Sequence, residues 1–330
     1  MRILLLGKRT PYDKVIDFET CLAHHIPHAL EAAGVDVVCI DADELLTFDK
    51  ADALGFFQSL DLTSVDHIIG LGLRYFDKLP YDCGESLRKR FKGAVCQLYD
   101  GGMLDGPPVD ITFTFRNDNW RYPLNSPSSR YDRHNKYNKY IGWAADPNLF
   151  VPNQSAHELR ILVDHSAYDA SCWDVSLFVL LSLKKLVQSD LWQDEFTSLR
   201  IRRIVDGQIR DYDSDDLSVR PYTANTINYN DIVQEMNASH LFMVTHKESL
   251  GLCVIESAMA GCLPVIPSGF VPLDRTETVR CFTYESVIDW KPILGSINPR
   301  LTRDTALNNS WRALANNIVK HLINFNRNET

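Results

Sequence analysis

The sequence predicts an α/β protein of two parallel-sheet domains. Three observations carry that expectation. Short apolar strands alternate with helical stretches along most of the 330 residues. A polar segment, residues 116–142, interrupts the alternation, which then begins again. A composition of 45% hydrophobic and 23% charged residues is that of a chain with a buried core, and the length suits about two domains of roughly 150 residues.

The first domain is expected over residues 1–150. Ile3–Leu6 reads as a buried strand ending at Gly7. From about Phe18 to Ala33 the apolar residues fall at helical spacing, and Gly34 stops them. Val35–Ile40, Val65–Ile69, Ala94–Leu98 and Ile111–Phe115 are further strands, each short and apolar. Strands of this kind, separated by helical stretches, form parallel sheets covered on both faces. The run from Asp146 through Pro147 and Phe150 to Pro152 and Asn153 is a connector marked by proline and asparagine.

The second domain is expected over residues 151–303. Leu159–Val163, Leu199–Val205, Leu241–Val244 and Pro264–Ile266 read as strands. Trp173–Val187, Asp231–Ala238 and Cys253–Ala260 read as helices, the last stopped by Gly261. About Asp304 to Phe325 reads as one long amphipathic helix that can pack back on the first domain. Ligands of such sheets bind beyond the carboxyl ends of the strands, so the expected site is the cleft between the two domains.

Composition excludes some functions. The formal charge of −9 is the wrong sign for a protein that coats nucleic acid or an anionic membrane. The eight cysteines contain no C-x-x-C and no zinc-finger spacing to histidine, and most lie in apolar runs, so they read as buried reduced thiols of a cytoplasmic protein. No apolar run approaches the roughly 18 residues of a membrane span, and residues 1–7 read as a strand rather than a secretory leader. No P-loop, G-x-G-x-x-G, G-x-S-x-G or H-E-x-x-H occurs.

The stretch from Thr245 to Ile266 carries the chemistry. A strand runs into a short loop, a helix and another strand. Ser249, Leu250 and Gly251 fall where the helix begins, where outward amides and the helix dipole suit a phosphate. Glu248 and Glu256 stand eight residues apart, along one edge of loop and helix. A carboxylate accepts two hydroxyl hydrogen bonds and so suits the vicinal diol of a ribose or hexose. The plainer alternative is a strand, loop and helix with two solvated glutamates.

Glu248 and Glu256 with seven residues between them, Gly251, and the tail Ala258, Gly261, Pro264 and Val265 resemble the E-x7-E signature of retaining glycosyltransferases of family 4. Asp146, Phe150 and Pro152 of the connector sit where that family has them. The resemblance implies the GT-B fold, with two Rossmann-like domains facing across a cleft. The first would be the acceptor side and the second would bind a nucleotide sugar. It implies retaining, metal-independent transfer of a sugar to an acceptor hydroxyl, with no cofactor beyond the nucleotide-sugar co-substrate and no metal ligand. Glu248 and Lys247 would be the catalytic residues. Ser249, Leu250, Gly251 and Glu256, with Gly7 and Lys8 from the other domain, would bind the donor. Asp100, Arg116 and Trp120 would face the acceptor, which could be a glycan, a small molecule or a nucleic acid.

One departure stands out. That family carries an arginine and a lysine just after the first strand of its second domain, and residues 164–174 here contain neither. The diphosphate's counter-charge must then come from Lys247, Lys8, Arg9 or Arg116. Three other features have bland readings. Residues 116–140 hold six basic and two acidic residues interleaved with Trp120 and four tyrosines, a tyrosine-rich surface loop that could also grip an anionic acceptor such as a modified nucleic-acid base. His24, His25 and His28 read as ordinary helix histidines. The D-x-D spacings of residues 211–216 read as a polar loop rather than a metal site. A nucleotide-sugar epimerase and a non-catalytic sugar- or nucleotide-binding relative are the alternatives from other classes.

Overall fold

A computed structural model describes residues 1–15, 18–41, 50–73, 75–76, 81–99, 109–115, 138–164, 170–205, 208–219, 228–246, 251–271 and 278–325. The chain divides into two compact units. One comprises Met1–Trp143 with Trp311–Thr330, the other Ala144–Ser310. The division falls at 143/144 rather than at 150, so the connector around Asp146 and Phe150 belongs wholly to the second unit.

The first unit is built on a six-stranded parallel sheet of β1 (Arg2–Leu6), β2 (Asp36–Ile40), β3 (His67–Leu73), β4 (Val95–Tyr99), β5 (Ile111–Thr114) and β6 (Asn138–Tyr140). Their order is β2-β1-β3-β4-β5-β6. Helices α1 (Phe18–Ala32), α2 (Lys50–Ser59) and α3 (Tyr81–Arg90) connect the strands. The central strands are rich in apolar residues, as suits a parallel sheet covered by helices. Leu4, Leu6, Ile68 and Val95 pack against Ala53 and Phe57 of α2 and Cys83 and Leu87 of α3. Strand β6 has no apolar signal: Asn138, Lys139 and Tyr140 are held by ladder bonds to β5, and the sequence pattern missed it. A buried carboxylate also ties this unit. Asp110 accepts from Arg88 Nε on α3 at 2.9 Å and from the Val95 amide at 2.9 Å.

The second unit carries β7 (Glu158–Asp164), β8 (Ser198–Val205), β9 (Gln208–Asp211), β10 (Leu241–Val244), β11 (Leu263–Pro267) and β12 (Phe282–Tyr284), in the order β12-β11-β10-β7-β8-β9. All pairings are parallel except that of β8 with β9. Among the described residues its helices are α4 (Ala170–Val187), α5 (Tyr229–Ala238), α6 (Leu252–Met259), α7 (Trp290–Leu294) and α8 (Pro299–Ala306). One core side joins Leu159, Ile161 and Val163 to Val179, Leu183 and Leu186 of α4, and to Trp290 and Ile293 of α7. Each such fully buried side chain contributes about 1.5–3 kcal/mol. Strands β9 and β12 escaped sequence reading because one is polar and exposed and the other is three residues long.

The expected single helix from 304 to 325 is two helices. Asn298 caps α8 by accepting from the Leu301 amide, with Pro299 in the first turn. After Ala306 the chain makes a 3-10 turn through Leu307–Asn309, and Ser310 is extended. Asparagine and serine compete for backbone hydrogen bonds and so break a helix whose apolar periodicity continues. The second helix, α9 (Trp311–Ile323), belongs to the first unit. There Trp311 stacks on His25 of α1 at 4.7 Å between ring centroids and meets Trp143 edge-on at 5.3 Å.

None of the eight cysteines is in a disulfide, and five are buried. Among the described residues no helix is long and apolar enough to cross a membrane.

His25 is 5% exposed, and burial, with repulsion from His24 and His28, pushes its pKa down from 6.5 to about 3. The unfolded chain therefore takes up a proton here between pH 6.5 and 3 that the folded chain refuses. The contribution to stability is complete above the unfolded pKa and is lost as pH falls through that window. Thermal unfolding followed from pH 7 to pH 4 should show a shallower loss of stability in His25→Phe than in the parent chain; equal slopes would remove His25 as the cause.

Candidate functional site on the second unit

The strand order of the second sheet reverses between β7 and β10. Strands β8 and β9 extend from one side of β7, and β10, β11 and β12 extend from the other. Beyond the carboxyl ends of two such strands the connecting chains diverge and leave a crevice, the usual ligand position in open parallel sheets. Here β7 ends at Asp164, paired in register with Val244 at the end of β10. Thr245 follows, and its hydroxyl donates to the Asp164 carbonyl, joining the two strand ends. Helix α6 starts a few residues later.

Gly251 is the N-cap of α6 and has φ 69° and ψ 29°, the left-handed region that a side chain disfavours. Its carbonyl accepts the first helical bond, from Ile255. The first-turn amides and the helix dipole make this end electropositive. Val254, Ile255, Ala258 and Met259 bury the helix among the strands.

Glu256 lies on this otherwise apolar helix and is only 5% exposed, so it is not a solvated surface acid. Burying a carboxylate is costly unless it is hydrogen-bonded. Tyr229 Oη, from the first turn of α5, donates to Glu256 Oε1 at 2.8 Å. Tyr229 in turn meets Phe150 of the connector edge-on at 6.3 Å.

The connector fixes the far end of α6. Arg303 of α8 donates to the carbonyls of Phe150 and Met259, and through Nη2 to that of Pro147 at 2.7 Å. A guanidinium on the last carbonyl of α6 also complements the negative end of the helix dipole. Gly261 ends the helix at φ 77°, and a Cβ there would lie 2.9 Å from Pro152 Cγ and 3.0 Å from the Pro299 carbonyl oxygen. Gly261 thus fits against Pro152, two residues after Phe150, whose carbonyl Arg303 holds.

Of the residues singled out from sequence, Gly251 and Glu256 lie on α6 as described. Gly7 and Lys8 belong to the first unit. Gly7 ends β1 with φ 139° and donates its amide to the Ile40 carbonyl at 2.9 Å. Lys8 is exposed, with Asp41 at 3.9 Å. Arg9, a candidate counter-charge, is engaged by Glu31 and by Cys39 Sγ. Lys247, Glu248, Ser249, Leu250, Asp100, Arg116 and Trp120 lie outside the described residues.

The structure also gathers a group that sequence reading missed. Asp164 at the end of β7, His246 after β10 and Cys253 in the first turn of α6 bring one ligand-type atom each within 4.8 Å of one another. Cys253 is half-buried rather than a core thiol. Their separation along the chain hides the grouping; noting which polar residues follow the two central strands would have found Asp164 and His246. The other polar features are structural. Asp213 and Asp216 accept the amides of Asp215 and Ser218, and Arg203 donates to the Asp216 and Ser218 carbonyls, so the D-x-D stretch is a hydrogen-bonded turn. Buried His240 accepts from the Arg160 amide through Nδ1 and donates from Nε2 to the Ser155 carbonyl, and burial lowers its pKa.

No protein-family model matches the chain, and no curated protein does. Solved structures do. A glycosyltransferase from Rickettsia africae aligns over 98% of this chain and 99% of its own, with 13% identity and a TM-score of 0.59. Sucrose-phosphate synthase from Thermosynechococcus elongatus covers 97% of each chain at 13% identity and a TM-score of 0.51. Anabaena HepE, solved in complex with UDP and glucose, covers 98% and 100% at 11% identity and a TM-score of 0.50. The chain has the GT-B fold, in which each of two domains carries a parallel sheet.

Gly261→Ala should destabilise the second unit by about 1–3 kcal/mol, from backbone strain and overpacking. A lowered urea midpoint would register it. An unchanged midpoint would show that Pro152 and Pro299 do not confine this turn.

Proposed function

We propose that the protein transfers a glycosyl group from a nucleoside diphosphate sugar to an acceptor hydroxyl, with retention of anomeric configuration. The observation that carries this reading is Glu256. It is a buried carboxylate held by Tyr229 on a helix whose N-terminus opens at the reversal point of the sheet. A carboxylate has lone pairs for more than the Tyr229 hydroxyl, and a ribose diol supplies two further hydroxyl donors. The glycosyltransferase neighbours and the UDP and glucose bound by one of them support the same substrate class.

The diphosphate would lie at the N-terminus of α6, with Gly251 allowing its close approach. Ser249 and Leu250 would add backbone donors, and Glu248 would contact the donor sugar. As the glycosidic bond to phosphate breaks, charge develops on the departing diphosphate. Fixed dipoles aimed at that charge are the main source of rate enhancement and need no Lewis acid. Lys247, the lysine of the motif, would supply a full counter-charge, with Lys8 the alternative from the first unit. Asp100, Arg116 and Trp120 would bind the acceptor, a glycan or small molecule. The reading also places the protein in the cytoplasm, where its thiols stay reduced.

Incubation with UDP- and GDP-sugars in separate reactions tests the proposal, with released nucleotide and the recovered sugar both measured. Transfer predicts nucleotide release that rises with a suitable acceptor. An isomerised donor would instead reveal an epimerase, and heat stabilisation without turnover a binding protein. Glu256→Ala should weaken nucleotide affinity at least about tenfold, the value of a lost charged hydrogen-bond acceptor, as read by calorimetry. Unchanged affinity would remove the ribose role.

A further inference from the structure

We propose that Asp164, His246 and Cys253 form a binding site for a thiophilic divalent cation of the zinc class, at the carboxyl edge of the second sheet. The inference rests on these side chains and not on the transferase reading.

The three residues come from three elements that the fold already locks together. Asp164 ends β7, and its register with Val244 fixes β10 beside it. The Thr245 hydroxyl bond to the Asp164 carbonyl holds the chain just before His246. Cys253 sits in the first turn of α6, a rigid element buried along Val254, Ile255 and Ala258. The ligand-type atoms all lie within 4.8 Å of one another, and the His246 and Asp164 side chains are 4% and 14% exposed.

The geometry of the closest pair suits shared coordination. His246 Nδ1 and Asp164 Oδ2 are 3.4 Å apart. Nitrogen and oxygen ligands at about 2.0–2.1 Å from one tetrahedral ion stand roughly 3.3 Å from each other. The pair's spacing fits two ligands of one ion, and the cysteine sulfur lies within 4.8 Å of both.

Charge and ligand type narrow the ion. A thiolate and a carboxylate bring two negative charges, which a divalent ion cancels, and a neutral imidazole adds none. That balance matters where exposure is this low, because an uncompensated charge would be expensive. It also outweighs the positive end of the α6 dipole, which alone would repel a cation. A sulfur and an imidazole nitrogen beside a single carboxylate disfavour magnesium and calcium, which prefer all-oxygen sites, and select zinc or its neighbours. Binding releases the thiol proton to solvent. Three protein ligands leave one position for water or a ligand group. An ion so held would cross-link the end of β7, the chain just after β10 and the start of α6.

Cobalt(II) is the direct probe. The metal-stripped full-length protein, titrated with cobalt, should bind one equivalent and develop a thiolate-to-cobalt charge-transfer absorption in the near ultraviolet, with zinc displacing it. Cys253→Ser should lose that absorption. Asp164→Asn should keep the parent's circular dichroism and thermal unfolding without metal, while its zinc affinity drops about tenfold or more. Absence of the charge-transfer band in the parent, its persistence in Cys253→Ser, or an unchanged zinc affinity in Asp164→Asn would each overturn the proposal. Because no nucleotide enters these measurements, they fail or succeed independently of the transferase reading.

Discussion

The second unit depends on one constraint, the parallel pairing of β7 with β10 at the place where strand order reverses. Four register pairs, from Leu241 with Ile161 to Val244 with Asp164, set both strand ends at one level. Everything chemical follows from that level. Asp164 lies at that level and His246 two residues past Val244, and α6 begins shortly after, presenting Gly251 and then Glu256. Had the strands been antiparallel neighbours joined by a tight turn, no helix N-terminus would open at this edge. Helix α6 is delivered by the crossover from β10 to its other parallel neighbour, β11.

A helix that presents a ligand site must be held at both ends, and the two ends of α6 are held differently. Its start is shaped by backbone conformation, through the left-handed Gly251. Its finish is held by side chains: Arg303 bridges the Met259 carbonyl to the connector carbonyls, and Gly261 fits against Pro152 and Pro299. The connector therefore acts less as a linker than as the support that fixes Glu256 and, through Phe150, its partner Tyr229.

Strands with dense apolar character were legible from sequence: β1, β7, β10 and β11 lie within a residue of expectation because burial on both faces leaves unbroken runs of Leu, Ile and Val. Polar or very short strands such as β6 and β9 were not, since ladder bonding rather than side-chain burial defines them. The C-terminal helix pair was misread as one because hydrophobic periodicity survives a break that Asn308, Asn309 and Ser310 impose on the backbone. At the candidate site, the start of a helix near Gly251, with Glu256 within it, was legible through local spacing, which one chain segment can reveal. That Glu256 is buried, and that Tyr229 holds it, needed the packing of α5 against α6. The Asp164, His246 and Cys253 grouping was invisible for the same reason: it is made by strand register and not by sequence distance.

The central claim is that the second unit holds a nucleoside diphosphate at the β7/β10 edge. A crystal structure of the protein soaked with UDP, and a second with GDP, tests it most directly. The account predicts the diphosphate at the N-terminus of α6 beside Gly251, with the ribose hydroxyls on the Glu256 carboxylate. A nucleotide found elsewhere on the chain, with Glu256 still bonded to Tyr229 and shut off from it, would contradict the account.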